Sequence, residues 1–454
     1  MTDKKQLQDA LLKRNEQVPR YTSYPTAPHF SADVGPKEVK HWLEDIADEA
    51  NLSLYFHIPF CRKMCWYCGC NTKATRRYDP VNEYMDYLWR EIDMVASSLS
   101  GGQLVTHIHF GGGSPSMLKP EDFTRLMATI RKRFHLSEGV EIAIELDPRE
   151  ITEAKVAAYA LAGVNRASLG VQDFHDHVQK AINRRQPFHT IYDAVNLLKA
   201  YGISDINMDL LYGLPHQTEK DLQENADYAA ALGAQRISLF GYAHVPWMKK
   251  HMRLIDENAL ADGAGRLAQF DIAAKQLEKR GYVPIGLDHF VLPRDPMAKA
   301  LNEGNLHRNF QGYTTDSADT LIGFGASAIS ALPQGYTQNT PATRQYFDAL
   351  ERGEMATVRG KALSNDDRIR RAAIEKLMCY FELDLAHLAA ENQIAFSHFD
   401  DALETLAELA TSGLVEINGT KVRVPGKARQ AVRLACAAFD TYFSASKQRH
   451  AQVA

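Results

Sequence analysis

Four of the six cysteines in this 454-residue chain lie within ten residues, in the string CRKMCWYCGC at residues 61–70. Thiolates are soft ligands for iron–sulfur clusters and for zinc, and such crowding in a reducing compartment indicates metal binding rather than disulfides. The spacing C-x3-C-x2-C of Cys61, Cys65 and Cys68 lets one loop wrap around a compact metal centre. A closed zinc site with Cys70 or His57 as fourth ligand is the alternative.

The cysteine loop follows a short β-like run, after which β-like runs alternate with helix-length segments, as is typical of parallel βα units. The predicted strands are residues 52–58, 105–110, 141–147, 166–172, 206–212, 236–242 and 282–290. The first six units predict an α/β fold with a partial, open (β/α)6-type barrel that leaves room for a wide substrate. The loop then lies where a βα barrel has its reactive face.

Alternation within these strands predicts which side chains line the barrel, because a strand sends successive side chains to opposite faces. Apolar side chains occupy one face of each run, and we expect that face to meet the surrounding helices. The polar side chains then face the interior. Tyr55, Glu145, Gln172 and Asp209 are predicted to converge there on one cavity.

The rest of the chain is predicted to form two further parts, a segment of residues 1–50 that covers the active site and a domain of residues 346–454. The barrel occupies residues 51–345, of which 293–345 read as irregular connections with short strands. Helices over 369–381, 399–410 and 428–443, with a hairpin turning at Asn418-Gly419, predict a smaller, mostly helical, winged-helix-like C-terminal domain. It lacks a basic stripe, so a lid over the barrel mouth is favoured over nucleic-acid binding.

Composition excludes several classes of protein. The charges are interspersed with a formal net charge of −4, so no global field favours nucleic acid or an anionic membrane. No apolar run approaches the roughly 20 residues that span a bilayer, and the start lacks a signal-peptide core, so we expect a cytoplasmic protein. An enclosed small-molecule site predicts a monomer. Cys379 and Cys436 lie in helical patterns and are expected to be buried.

The spacing C-x3-C-x2-C after the first strand, with Tyr67 before the third cysteine, resembles the radical S-adenosylmethionine (radical SAM) superfamily. There, three thiolates hold a [4Fe–4S] cluster whose fourth iron binds S-adenosylmethionine, and one electron cleaves the sulfonium to give a 5′-deoxyadenosyl radical. Further motifs resemble the oxygen-independent coproporphyrinogen III oxidases over nearly the whole chain. These motifs are PRYTSYPTA (19–27), GGGSPS (111–116), ELDPRE (145–150), LGVQDF (169–174), DLLYGLP (209–215), YAH (242–244), LHRNFQGYTT (306–315) and SAIS (327–330).

The resemblance implies oxidative decarboxylation of two propionates of coproporphyrinogen III to vinyl groups, giving protoporphyrinogen IX in haem biosynthesis. It also implies two bound S-adenosylmethionines, an electron donor for the cluster and a terminal electron acceptor, neither of which the sequence identifies. A related lineage of haem chaperones keeps the fold without the oxidase activity and is the alternative. The CGC ending, PRYTSYPTA and NFQGYTT favour the oxidase.

Carried over by position, the resemblance assigns the cluster to Cys61, Cys65 and Cys68 and leaves Cys70 outside the ligands. The implied cofactor contacts are Tyr55, Tyr67, Gly112, Gly113, Ser114, Glu145, Gln172, Arg184, Asp209, Ala243 and Ile329. Glycines let backbone donors approach a ligand closely, and carboxylates accept from ribose hydroxyls or an ammonium. Ala243 and Ile329 rest on the resemblance only, and without the resemblance an arginine near a helix start, such as Arg184, is usually solvated.

The substrate side is less defined, because a chain of net charge −4 must gather cations locally to bind a tetracarboxylate. Arginines outside the helical pattern of the barrel are candidates, although each could be solvated: Arg20, Arg294 and Arg308. Three tyrosines could cover the macrocycle or serve packing: Tyr21, Tyr24 and Tyr313.

Overall fold

The structure is a computed structural model that describes residues 4–14 and 16–443. Its strands are β1 (Asn51–Ile58), β2 (Phe60–Cys61), β3 (Lys73–Ala74), β4 (Leu104–Gly112), β5 (His135–Leu146), β6 (Arg166–Gln172), β7 (Asp205–Tyr212), β8 (Arg236–Gly241), β9 (Val283–Ile285), β10 (His289–Val291), β11 (His307–Asn309), β12 (Gly312–Thr314), β13 (Thr320–Phe324), β14 (Ile329–Leu332), β15 (Gly335–Asn339), β16 (Thr357–Ala362), β17 (Glu382–Asp384), β18 (Glu416–Asn418) and β19 (Lys421–Arg423). Its α-helices are α1 (Lys4–Arg14), α2 (Pro36–Glu44), α3 (Asp79–Ser98), α4 (Pro120–Arg133), α5 (Glu153–Leu161), α6 (Asp176–Ala181), α7 (Phe188–Ala200), α8 (Glu219–Ala231), α9 (Gly263–Lys279), α10 (Pro296–Glu303), α11 (Thr343–Glu351), α12 (Asn365–Tyr380), α13 (Leu385–Glu391), α14 (Asp400–Thr411) and α15 (Val432–Ala437).

A large mixed sheet organises the fold. In the described residues it contains twelve strands in the order β16-β15-β14-β13-β1-β4-β5-β6-β7-β8-β10-β9. Strands β1 and β4 to β8 pair in parallel, with α3, α4, α5, α7 and α8 in the connections between them. The predicted α/β class with a partial, open (β/α)6-type barrel is therefore confirmed.

The predicted seventh strand over residues 282–290 is wrong. Strands β9 and β10 are two short antiparallel strands, and β10 pairs antiparallel with β8. Gly286 breaks the run with a φ of +51°, and a Cβ there would lie 1.9 Å from Cζ of Tyr313. A turn that only glycine fits therefore interrupts what reads as one continuous strand.

The region of residues 293–345 is more regular than predicted. Strand β13 pairs in parallel with β1 and so extends the parallel run on its other side. All five of its residues are buried. A strand that is buried on both faces shows no polar alternation, so the alternating pattern could not reveal it.

The main core lies between the apolar faces of the parallel strands and the surrounding helices. Phe56 stacks on Phe110 and on Phe324, with ring centroids 5.2 and 4.7 Å away, which joins strands β1, β4 and β13. Helix α4 illustrates how the helices are fixed. It begins at Pro120, carries acidic residues in its first turn and basic ones in its last, and so complements its own dipole.

A second core joins the C-terminal domain to the N-terminal segment. Leu7 and Leu11 of α1 pack there with apolar side chains of α12 to α15. The predicted hairpin is confirmed, since Asn418 pairs with Lys421 across Gly419. Cys379 and Cys436 are buried as expected. Helix α11 packs in the first core and β16 in the main sheet, so the change of core follows residue 362.

The predicted last helix over residues 428–443 is only partly formed. The segment Gly426–Ala431 is a 3-10 turn, and α15 ends at Ala437. Asp440 accepts a hydrogen bond from the backbone N–H of Tyr442, at 3.0 Å, and so offers the chain a non-helical alternative. In residues 4–14 and 16–443 no helix is long and apolar enough to cross a membrane.

Candidate cofactor and cluster site

The three predicted ligand cysteines lie in one loop at the carboxyl edge of the parallel strands. Cys61 ends β2, directly after β1, and the loop returns through β3, which pairs with β2. Cys65 is buried, while Cys61 and Cys68 are half-buried. All three line a cavity, here called the cluster cavity, at the end of the barrel strands.

Most of the predicted cofactor contacts line the same cavity. These residues are Tyr67, Gly112, Gly113, Ser114, Glu145, Gln172, Arg184 and Asp209. Tyr67 comes from the cysteine loop, and the other residues come from β4 to β7 and the turns after β4 and α6. The strand alternation that predicted Glu145, Gln172 and Asp209 on the interior thus agrees with their position.

Cys70, which is not among the predicted ligands, lines the cluster cavity with the three predicted ligand cysteines. Its thiol hydrogen-bonds to Cys68, and this bond lowers the pKa of Cys68 to about 6. The pKa of Cys61 is raised to about 11, chiefly by burial, although Thr72 Oγ1 donates to its Sγ at 3.3 Å. Cys70 can therefore stabilise a neighbouring thiolate as a donor without binding iron.

Two arginines beside Cys65 fit an anionic cluster. Nη1 of Arg184 lies 3.5 Å and Nη2 of Arg149 lies 3.9 Å from Cys65 Sγ. Asp147 pairs with both guanidinium groups, at 2.6 Å to Arg149 and 3.3 Å to Arg184. Burial opposes the charge on Asp147, but Arg184 and Arg149 lower its pKa to about 2. Three thiols with cations next to them are the donor set that a thiolate-bound cluster requires.

The glycine turn brings backbone close to these groups. Gly112 has a φ of +113°, and its N–H donates to Glu145 Oε2 at 3.2 Å. A Cβ at Gly111 would lie 2.9 Å from Glu145 Oε1, and one at Gly113 would lie 2.4 Å from Thr72 Oγ1. Side chains at these positions would therefore fill the cavity wall or clash with it.

The carboxylates of Glu145 and Asp209 both face the cluster cavity. Among the described residues, the basic side chain that hydrogen-bonds to this pair is His109, which bonds to Glu145. Burial favours the neutral form of Glu145, but the hydrogen bond from His109, 3.0 Å from Oε1, lowers its pKa. Asp209 accepts from Asn207 and Ser168, at 2.8 and 3.2 Å, while burial and the charge of Glu145 raise its pKa. A cationic ligand between them would relieve this repulsion.

Arg184 and Gln172 form another part of the wall of the cluster cavity. Arg184 is buried rather than solvated, and its Nη2 donates to the carbonyl of Gly170 at 2.5 Å. Its Nε is buried without a partner among the described residues. Gln172 adopts a φ of +69°, an uncommon conformation for a residue other than glycine. A polar ligand atom in the cavity could accept a hydrogen bond from the Nε of Arg184.

A second cavity, here called the adjoining cavity, shares the Gly112 and Glu145 wall with the cluster cavity. Tyr55 and Ile329 line it, and its volume of about 540 Å³ suits a small-molecule ligand. Tyr55 hydrogen-bonds to His57 at 3.1 Å and stacks on His109. The predicted contacts are therefore divided between two neighbouring cavities.

Ala243 lines neither cavity. It lies two residues beyond the end of β8, in the connection that leads away from the barrel edge. Arg294 is exposed and donates to Gln235 at 3.1 Å. Tyr21, Tyr24 and Tyr313 are buried, and their hydroxyls bond to Asp440, Thr441 and Met378. Tyr21 and Tyr24 also line a cavity of about 170 Å³.

Sequence reasoning missed several residues of the two cavities. Asp147 and Arg149 line the cluster cavity, and His57, Phe310 and Gln311 line the adjoining one. Strand alternation does place His57 and Asp147 on the interior faces of Tyr55 and Glu145, although neither is among the predicted cofactor contacts. Phe310 and Gln311 lie within the NFQGYTT motif, which gave no side-chain direction.

Comparison with known families gives two matches along the chain. Residues 55–229 match the model of the radical SAM superfamily, and residues 363–430 match the HemN C-terminal domain. The first match contains the cysteine loop and both carboxylates, and the second begins directly after β16.

Curated proteins and solved structures match nearly the whole chain. Oxygen-independent coproporphyrinogen III oxidases from Bradyrhizobium diazoefficiens and Escherichia coli are 46% and 40% identical, over 96% and 95% of this chain and 97% and 94% of theirs. The solved structure of coproporphyrinogen III oxidase (HemN) from Escherichia coli, described as a radical SAM enzyme, superposes with a TM-score of 0.90 at 39% identity. That match covers 96% of this chain and 98% of the other.

Proposed function

The chain belongs to the oxygen-independent coproporphyrinogen III oxidases of the radical SAM superfamily, and from that premise we propose how its residues perform the reaction. The reaction is the oxidative decarboxylation of coproporphyrinogen III in haem biosynthesis, in which two propionates become the vinyl groups of protoporphyrinogen IX. The [4Fe–4S] cluster and S-adenosylmethionine are the cofactors that the radical SAM domain implies. When bound, they supply one-electron cleavage of the sulfonium and a carbon-centred radical.

The observation that carries the proposal is that cysteine thiols and carboxylates line the same cluster cavity. The three thiols proposed as ligands, two of them half-buried, line one cavity with Cys70 and three carboxylates, those of Glu145, Asp147 and Asp209. The thiols of Cys61, Cys65 and Cys68 would hold three irons and leave the fourth open. Glu145 and Asp209 provide negative charge for a ligand that carries an ammonium and a sulfonium.

The remaining residues bind and orient. The glycine turn allows a ligand to approach the backbone at Gly112 and Gly113, and Tyr67 offers an aromatic face beside Cys68. Arg184 holds Asp147 and has a free Nε for a polar ligand atom. Cys70 donates to Cys68 from outside the ligand set.

We also propose that two S-adenosylmethionine molecules bind. The cluster cavity and the adjoining cavity share Glu145 and Gly112, so that two ligands would lie side by side. Tyr55 and Ile329 belong to the second of these positions. The electron donor and the terminal acceptor, the monomeric state and the cytoplasmic location stay predictions.

The test is an anaerobic assay of reconstituted protein with reductant, S-adenosylmethionine, coproporphyrinogen III and an electron acceptor. We expect protoporphyrinogen IX together with 5′-deoxyadenosine. Tight haem binding without any decarboxylation would instead identify a haem carrier and contradict the proposal.

A further inference from the structure

A small cavity rich in arginine lies where the N-terminal segment, α9 and the C-terminal domain meet. Four guanidinium groups line this arginine cavity, from Arg20, Arg266, Arg308 and Arg433. Among its described lining residues there is one carboxylate, that of Asp288. The volume of about 50 Å³ leaves room for a carboxylate or a few waters, but not for a macrocycle.

The single carboxylate does not neutralise these charges. Oδ1 of Asp288 already bonds to Nδ1 of His289 at 2.7 Å. Burial opposes ionisation of Asp288, while His289 and the nearby Arg308 and Arg20 lower its pKa. Arg433 is buried, Arg266 and Arg308 are half-buried and Arg20 is exposed. Like charges this close repel one another, so four guanidinium groups around one carboxylate favour an anionic ligand.

Arg266 is the cation whose donors are most available. Its guanidinium lies over the ring of Tyr212, 5.5 Å from the centroid, and has no hydrogen-bond or ion-pair partner among the described residues. A Cβ at Gly213 would lie 2.4 Å from its Nη1, and one at Gly241 would lie 3.0 Å from its Nη2. Two glycines therefore make the space in which this guanidinium lies.

The other arginines are fixed by backbone carbonyls. Arg20 donates to Gly241 at 2.9 Å, and Arg433 donates to the carbonyls of Val18 and Pro19. Arg308 bonds to the carbonyls of Tyr21 and Arg20, at 3.3 and 3.4 Å, but its buried Nη1 has no partner among the described residues. Carbonyls orient the guanidinium groups without neutralising them.

The arginine cavity lies at the same barrel edge as the cofactor site. Tyr212 ends β7, the strand that carries Asp209, and Gly241 ends β8. Arg308 precedes Phe310, which lines the adjoining cavity, by two residues. Arg308 also lines a third cavity, which shares Phe310 and Leu321 with the adjoining cavity, so this third cavity lies between the adjoining cavity and the arginine cavity.

We propose that the arginine cavity binds a propionate of coproporphyrinogen III other than the one that reacts. Guanidinium and carboxylate pair through two parallel hydrogen bonds, which gives orientation as well as charge neutralisation. Holding one propionate here would turn the macrocycle so that a different propionate meets the cofactors. This inference rests on the proposed function, because it requires a tetracarboxylate substrate.

The test measures binding of coproporphyrin III, the fluorescent oxidised form of the substrate, to the anaerobic holoenzyme. Arg266→Gln is compared with the wild type and with Lys275→Gln, which removes an equal charge from an exposed position of α9. The Arg266 guanidinium donates to no backbone carbonyl among the described residues, so its substitution removes no hydrogen bond from the backbone. Cluster absorbance and the 5′-deoxyadenosine formed without substrate verify that each variant is folded and loaded.

We expect Arg266→Gln to raise the dissociation constant at least tenfold, or about 1.4 kcal/mol, and Lys275→Gln to leave it unchanged. The tetramethyl ester of coproporphyrin III should bind wild type and Arg266→Gln equally, since it has no carboxylate. Arg266→Lys keeps the charge without the paired donors and should show a smaller loss, again for the free acid alone.

Equal affinities of wild type and Arg266→Gln for the free acid, or equal losses for acid and ester, overturn this inference alone. Binding of inorganic phosphate tests whether the arginine cavity binds a free anion instead of a propionate of the substrate. Phosphate binding that needs Arg266 while porphyrin binding does not would also overturn it. The proposed function is tested separately, by turnover of coproporphyrinogen III in the wild type, and absence of that turnover would overturn it as well.

Discussion

The guanidinium of Arg184 lies 3.5 Å from the sulfur of Cys65, measured from Nη1 to Sγ. Arg184 is buried and comes from the turn after α6, so a positive charge from outside the cysteine loop is held against one of its thiols. Asp147 pairs with the same guanidinium and with Arg149. This arrangement connects the cluster loop to the barrel strand that carries Glu145.

Arg184→Gln should lower the midpoint potential of the cluster. A nearby positive charge stabilises the reduced, more negative cluster, so its loss should shift the potential by roughly −50 to −100 mV at an effective dielectric of about 20. Redox titration followed by electron paramagnetic resonance measures the shift. Arg184→Lys keeps the charge and should restore most of the potential, and an unchanged potential in Arg184→Gln would show that the contact has no electrostatic role.

Cys61→Ser, Cys65→Ser and Cys68→Ser should each abolish the broad brown absorbance of the cluster. Cys70→Ser should retain most of the iron, because Cys70 donates a hydrogen bond to Cys68 and is not a proposed ligand. Iron and sulfide analysis of the reconstituted proteins measures both effects. If Cys70→Ser loses iron as completely as the other variants, the ligand assignment is wrong.

Glu145→Gln should weaken S-adenosylmethionine binding roughly tenfold to a hundredfold while the cluster remains. Hydrogen bonds to charged groups contribute about 1.5–3 kcal/mol, and Glu145 borders both cavities. Equilibrium binding of labelled S-adenosylmethionine measures the loss. Glu138→Gln is the control, since Glu138 is exposed on the same strand. Equal binding by the two variants would remove Glu145 from the cofactor site.

His175 should make stability depend on alkaline pH. Burial alone would lower its pKa, but hydrogen bonds with Asp173 and Glu224 raise it to about 9. Because the folded pKa exceeds the unfolded value of about 6.5, the stabilisation is complete below about pH 6.5 and is lost as the pH rises through 9. The bond network ties α6, which leads to Arg184, to α8.

The size of this effect is at most about 3 kcal/mol, since one pKa unit corresponds to about 1.36 kcal/mol. Urea unfolding at pH 6.5 and at pH 9.5 should show the wild type losing this stability and His175→Gln losing much less. His189→Gln, which changes an exposed histidine of α7, should behave as the wild type. A parallel loss in His175→Gln would assign the pH dependence to other groups.

Local patterns of the sequence predicted the parts of the site that strands position. Alternation along β5 and β7 is a property of neighbouring residues, so it placed Glu145 and Asp209 inside the barrel. The left-handed turn at Asn183, with a φ of +56°, is not visible in such a pattern. The pairing of Arg184 with Asp147 depends on that turn and on a separation of 37 residues.

The arginine cavity is even harder to predict from local sequence patterns. Its arginines come from the N-terminal segment, α9, β11 and α15, so no stretch of sequence contains two of them close together. Arg20 and Arg308 could be selected as candidates because they lie outside helical patterns. Arg266 and Arg433 lie within helices, where a basic residue usually faces solvent, and only the tertiary arrangement shows that Arg433 is buried and Arg266 half-buried.

The central claim is that a radical formed at the cluster cavity removes hydrogen from a substrate propionate. Coproporphyrinogen III carrying deuterium at the propionate carbons attached to the ring tests it most directly, in an anaerobic turnover analysed by mass spectrometry. We predict deuterium in the 5′-deoxyadenosine recovered with protoporphyrinogen IX, and no such transfer with Cys65→Ser. Formation of the vinyl product with 5′-deoxyadenosine free of deuterium would contradict the account.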